Sequence, residues 1–126
     1  MYKQGKLIAV NGAIYEYHEF DEQAKVHLVY EVDIDCEGIL TATYIMNYFY
    51  PKQFTEGFGK INLTKPQWYG VVSHLLRNDY MWSKVLYNLT EEEITEATED
   101  IVERCFAYGI PQFEELEDYI ANYMDR

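Results

Sequence analysis

Val26-His27-Leu28-Val29-Tyr30-Glu31-Val32-Asp33-Ile34-Asp35, followed by Cys36-Glu37-Gly38, is the stretch whose reading decides the fold. Val26, Leu28, Tyr30, Val32 and Ile34 fall on one face of an extended chain. His27, Glu31, Asp33 and Asp35 fall on the other, and only Val29 breaks the alternation. A period of two is that of a β-strand with one face buried. Cys36-Glu37-Gly38 then makes a three-residue turn, with glycine free to take the left-handed position. Pairing Asp35 with Ile39 sets Val32 opposite Ala42, Tyr30 opposite Tyr44 and Leu28 opposite Met46. The same register sets Asp33 against Thr41 and Glu31 against Thr43. Both faces are satisfied at once, which predicts an antiparallel pair over residues 26–35 and 39–50.

Working outward, Asn11-Gly12 lies between two runs rich in β-branched and aromatic residues, 6–10 and 13–20. A two-residue type I′ turn needs positive φ at both positions, which Asn and Gly tolerate, so these runs form a hairpin. Pro51 ends the fourth strand, and a short fifth is open at 60–63. From Thr64 the period becomes helical, through Trp68, Val71, Val72, Leu75 and Leu76, with Pro66 in the first turn. Residues 80–89 read as a short helix. Thr90-Glu91-Glu92-Glu93 is a capping box that opens a helix to Tyr108, ended by Gly109. Ile110-Pro111 starts a last helix with Phe113, Leu116, Ile120 and Tyr123 inward. The expectation is α+β: an antiparallel meander of four to five strands packed against three to four C-terminal helices, in one domain over residues 1–126. Tyr15, Tyr17, Tyr30 and Tyr44 are assigned to the core by their faces.

Charge bounds the function. Twenty-two Asp and Glu oppose ten Lys and Arg in 126 residues, a net charge of −12, with thirteen tyrosines. Residues 91–126 hold twelve acids against two bases, residues 1–39 eight against three, and residues 40–90 two against five. Such a field repels nucleic acid and anionic lipid and attracts a basic protein. No leader-like apolar segment or bilayer-length run is present. Cys36 and Cys105 lie far apart without metal-type spacing, as expected of free thiols in a cytoplasmic protein.

On a helical wheel Glu92, Glu96, Glu99 and Glu103 form a narrow stripe, opposite Ile94, Thr98, Ile101, Cys105 and Tyr108. Like charges four residues apart cost a few tenths of a kcal/mol each, relieved locally only by Arg104 after Asp100. The stripe repeats a charge about every 5.5 Å, against about 3.4 Å along one DNA strand, so alone it is too sparse to imitate DNA. Reinforcement is available from Glu114, Glu115, Glu117 and Asp118, or from Glu31, Asp33, Asp35 and Glu37 on the sheet. The plain alternative is a solvated helix face. Phe106 lies beside the stripe, either as an aromatic anchor for a partner or covered by the last helix.

Catalytic signatures are lacking: there is no glycine-rich phosphate loop, nucleophile elbow or recognisable Cys–His arrangement. Pairing Glu19 with Val26 sets His18 opposite His27, with Glu16 and Glu31 close by, a set that a zinc-like cation could use. A solvated histidine pair is the competing reading, and no cofactor is expected.

The stretch 90–123, a Glu-rich helix followed by Tyr108-Gly109-Ile110-Pro111 and then Phe113 and Leu116, resembles the tail of a family of small bacterial proteins known as a domain of unknown function. That resemblance implies a bacterial or phage setting and strands preceding these helices, and it assigns no site residues. The sequence therefore predicts a non-enzymatic acidic protein that neutralises a basic, nucleic-acid-handling partner, in the manner of toxin-immunity proteins or phage anti-defence inhibitors. Glu92, Glu96, Glu99, Glu103 and Phe106 are the expected contacts, with Glu31, Asp33 and Asp35 second. A metal- or small-molecule-binding sheet face, or a structural subunit self-associating through residues 39–50, are the alternatives.

Overall fold

A computed structural model describes residues 3–78 and 89–124. It is α+β, with a four-stranded antiparallel sheet followed by helices. The strands are β1 (Leu7–Val10), β2 (Ala13–Asp21), β3 (Val26–Ile34) and β4 (Leu40–Phe49), in the spatial order of the chain. The helices are α1 (Pro51–Gly57), α2 (Lys65–Asn78), α3 (Glu91–Tyr108) and α4 (Leu116–Met124), the last preceded by a 3₁₀ turn at Phe113–Glu115. The segment read as a short helix at 80–89 lies, but for Leu89, outside the described residues. Two compact units emerge: Met1–Ile34 with Thr41–Asn62, and Asp35–Leu40 with Leu63–Arg126.

In the first unit Asn11 and Gly12 both take positive φ, 51° and 87°, and Val10 pairs with Ala13 as the hairpin requires. The β2–β3 ladder runs from Ile14 opposite Val32 to Tyr17 opposite Val29, then slips by one residue so that Phe20 faces His27. His18 is the extra residue, a β-bulge. The pairing of Glu19 with Val26 is thus overturned: Glu19 faces Leu28 and Val26 faces Asp21.

That slip accompanies a second correction. Val29, the residue that broke the alternation, is fully buried and belongs to a cluster with Ile8, Val10, Tyr17 and Phe54. Tyr15, Phe49 and Phe58 pack against it. The side of β3 expected to be polar is therefore the side that α1 covers. The cause lies in residues 51–58, where Pro51 starts a helix instead of merely stopping a strand, and Phe54 and Phe58 supply the missing apolar layer. No fifth strand forms at 60–63. Instead Val10 bridges Phe58, Gly59 N–H donates to the Ala9 carbonyl at 2.8 Å, and Asn11 N–H to that of Gly57 at 2.9 Å. Of the four tyrosines assigned inward, Tyr17 is buried and Tyr15 and Tyr30 half-buried, but Tyr44 is 84% exposed. Its φ of 59° is left-handed, a backbone conformation outside the regular pleat.

In the second unit Trp68, Val71, Val72, Leu75 and Leu76 of α2 are buried as their spacing predicts, with Ile94, Ile101, Val102 and Cys105 of α3 and Phe113, Leu116 and Ile120 beyond. Both halves of the Thr90 capping box form: Thr90 Oγ1 accepts from Glu93 N–H, and the Glu93 carboxylate from Thr90 N–H, each at 3.1 Å. A box unforeseen in the sequence joins Thr64 and Gln67 at the start of α2. Gln67 Nε2 also donates to the Asp35 carbonyl at 3.3 Å, tying the turn 35–40 to the helix.

Candidate partner-binding surface

α3 is held from beneath by Ile94, Thr98, Ile101, Val102 and Cys105, all nearly inaccessible to solvent. Helical geometry then forces Glu92, Glu96, Glu99 and Glu103 outward, and all four are exposed. Tyr108 departs from the wheel: as the last residue of the helix it is 88% exposed instead of buried.

The row is not electrically uniform. Glu103 at its C-terminal end receives Lys65 Nζ at 2.6 Å and the Tyr69 hydroxyl at 3.3 Å. The hydrogen bond from Lys65 holds the Glu103 carboxyl below its usual range, and that bond raises the lysine in turn. The same ammonium lies 5.6 Å from the centroid of the Phe106 ring, so Phe106, 42% exposed, already has a cation beside it. Glu91 pairs with Arg77 at 2.9 Å, and Asp100 with Arg104 at 3.4 Å, as their spacing of four suggested. Among the described residues no lysine or arginine pairs with Glu92, Glu96 or Glu99. The open part of the row is these three.

The second-choice acids are divided. Asp33 is exposed and Glu31 half-buried on β3. Glu31 bears on Tyr15, whose hydroxyl pKa is raised first by burial and then by that carboxylate. Asp35 is structurally committed, its Oδ1 accepting from the N–H groups of Glu37 and Ile39, both at 2.9 Å.

The histidine pair does not assemble. The bulge leaves His18 with Gln4 at 3.2 Å, Glu19 at 3.7 Å and the Tyr30 ring. His27 instead stacks on Phe54 with ring centroids 4.1 Å apart and bonds the buried Tyr17 hydroxyl through Nδ1 at 3.0 Å. Burial lowers its pKa, which favours the neutral imidazole. Glu16 faces Tyr30 across the ladder. Among the described residues no group of three or more His, Cys, Asp or Glu is arranged to hold a metal ion.

Two features escaped the sequence reading. One is a groove of 440 Å³ in the second unit, lined by polar and apolar residues that include Glu37, Leu40, Tyr69, Ser73, Arg77 and Glu99. Three distant segments build it, and no local pattern announces that. The other is the outward aromatic row of β4, hidden because a left-handed Tyr44 is invisible in an alternation count. Cys105, which lies on the buried face of α3, has its thiol pKa pushed up by burial, as suits an inert core thiol. Among the described residues no helix is long and apolar enough to cross a membrane. No protein-family model, curated protein or solved structure matches the chain.

Proposed function

We propose that this chain is a non-enzymatic acidic binding protein that neutralises a basic, nucleic-acid-handling protein, in the way toxin-immunity proteins and phage anti-defence inhibitors act on theirs. The observation that carries the reading is the open carboxylate row Glu92, Glu96 and Glu99, lacking an internal cation among the described residues and fixed to a helix whose other face is buried. The net charge of −12 draws a cationic partner in from a distance, and the row fixes where it lands. Phe106, Tyr108 and Ile110, all partly or largely exposed at the end of α3, are the apolar contacts that slow departure. Lys65 makes Glu103 the weakest member of the set, so Glu96 and Glu99 at the middle carry the steering.

The test is a Glu96→Lys/Glu99→Lys double variant, set against wild type for a partner isolated from a bacterial host at low salt. The variant is expected to associate more slowly and with a flatter dependence on ionic strength. An unchanged rate and salt slope would remove α3 from the interface.

A further inference from the structure

The sheet has two edges, and the chain treats them differently. At β1 the segment 57–60 returns to bridge Val10 and to hydrogen-bond Ala9, Asn11 and Gly12, so that edge is occupied from within. β4 is the last strand at the other end, and among the described residues no strand pairs with its outer side. Exposed edges are ordinarily blunted by charged side chains or proline. Here residues 39–50 contain no Asp, Glu, Lys, Arg or His at all. They present Tyr44 at 84% exposure, Tyr48 at 55%, Ile45 at 54%, Tyr50 at 52% and Met46 at 45%. Tyr48 and Tyr50 stack edge to face at 5.8 Å, a preformed aromatic pair.

The geometry points to a second copy of this chain as the occupant: two molecules meet through β4, about a two-fold axis, burying Tyr44, Met46, Tyr48 and Tyr50 of each. Charge selects this partner over a basic protein. A cationic surface would be recognised by carboxylates, and this strand has none. Two molecules that each carry −12 repel one another, so they can approach only through a neutral patch. A two-fold contact sets the patch against itself, where any charge would face its like. Tyr44 adds a second observation. A bulky residue at φ 59° is strained, and such strain gathers at functional positions. The Tyr44 ring is the most exposed aromatic side chain of the strand, at 84%.

Area sets the strength. With roughly 150–250 Å² per aromatic side chain, the three tyrosines expose on the order of 300–500 Å². That equals the largest apolar patch of an ordinary monomer, and even with Ile45 and Met46 added it falls short of the ~800 Å² per partner of a standard interface. A concentration-dependent dimer follows, not an obligate one.

Sedimentation velocity from micromolar to millimolar protein tests it, using Met46→Glu/Tyr48→Glu and Met46→Lys/Tyr48→Lys. Wild type is expected to shift from monomer to dimer with rising concentration, and each variant alone to stay monomeric. An equimolar mixture of the two variants is expected to dimerise again, because a two-fold contact centred on residues 44–50 sets position 46 of one copy opposite position 48 of the other, where opposite charges then meet. Restoration by mixing cannot come from misfolding. A wild type that stays monomeric, variants that dimerise like wild type, or a mixture that stays monomeric would each overturn the proposal.

Discussion

Gly70, in the second turn of α2, lies so close to the carbonyl of Gly38 that a Cβ at position 70 would overlap that oxygen. Gly38 is itself at φ 91°, and a Cβ there would meet the Pro66 carbonyl. Backbone rests on backbone at this point, which holds the turn 35–40 on the helix, and both glycines line the groove. Alanine is better than glycine in a helix by about 1 kcal/mol, so propensity alone predicts that Gly70→Ala stabilises. The clash is with a main-chain oxygen that cannot rotate away, and overpacking of this kind costs about 1–3 kcal/mol. Gly70→Ala is therefore expected to lower the urea midpoint with little change in slope. A midpoint at or above wild type would show that the turn does not rest on Gly70.

The cap of α3 offers a cleaner number. Thr90 serves one orphan amide and Glu93 another, both at 3.1 Å. Thr90→Ala should cost about 1 kcal/mol, or about 4 °C in melting temperature for a chain of this size. The box at Thr64 is looser, with its threonine hydroxyl 3.4 Å from Gln67 N. Thr64→Ala is expected to cost less than Thr90→Ala, and thermal melts of the two variants side by side decide the order.

What was legible in the chain follows from the range of the interaction. Asn11-Gly12, the capping box at Thr90 and the apolar spacing of α2 and α3 are fixed by neighbours within a few residues, and the structure has them where the sequence placed them. The β2–β3 register failed because a bulge at His18 costs one residue and leaves no mark in composition. The buried side of β3 was misread for a related reason. Val29 looked like an exception to a pattern while Phe54, which covers it from twenty-five positions onward, sat in a stretch with no clear period. For the acidic surface, local geometry placed the carboxylates on one side of α3. It could not show Lys65 reaching across from α2 to claim Glu103.

That claim is measurable. Lys65 holds the Glu103 carboxyl low chiefly through its hydrogen bond, and Tyr69 contributes as well. A carboxylate depressed in the folded state stabilises above its unfolded pKa and loses that contribution as pH falls through the folded value. Both partners are solvent-exposed, so the consequence for stability is small and the titration is the better readout. In Lys65→Gln the Glu103 side chain, followed by carbon-detected NMR, should titrate at higher pH than in wild type. Phe106, having lost its neighbouring cation, should shift in the same spectra. A Glu103 titration unmoved by the substitution would mean the ion pair does not persist in solution.

His27 and Phe54 stack at 4.1 Å, and burial is the cause of the depressed imidazole pKa. The sign follows from proton binding. Between the folded pKa and the unfolded value near 6.5, the unfolded chain takes up the proton and the folded chain does not. Stability from this residue is complete above about pH 6.5 and declines as pH falls towards the folded pKa. His27→Phe keeps a ring on Phe54 but cannot protonate, so its stability should vary less than that of wild type over this window, measured by urea unfolding at pH 7.5, 6.5 and 5.5. The Tyr17 hydroxyl then loses its hydrogen bond to the imidazole, which lowers stability by about 0.5–1.5 kcal/mol at every pH. Phe54→Ala separates the two contributions. It removes a ring that also touches Tyr17, Phe49 and Phe58, at a cost of about 3–5 kcal/mol. It also lets water reach His27, so the imidazole should titrate closer to its ordinary value and the pH slope should shrink even as overall stability drops. A slope as steep in Phe54→Ala as in wild type would place the origin of the pH dependence elsewhere than in this stack.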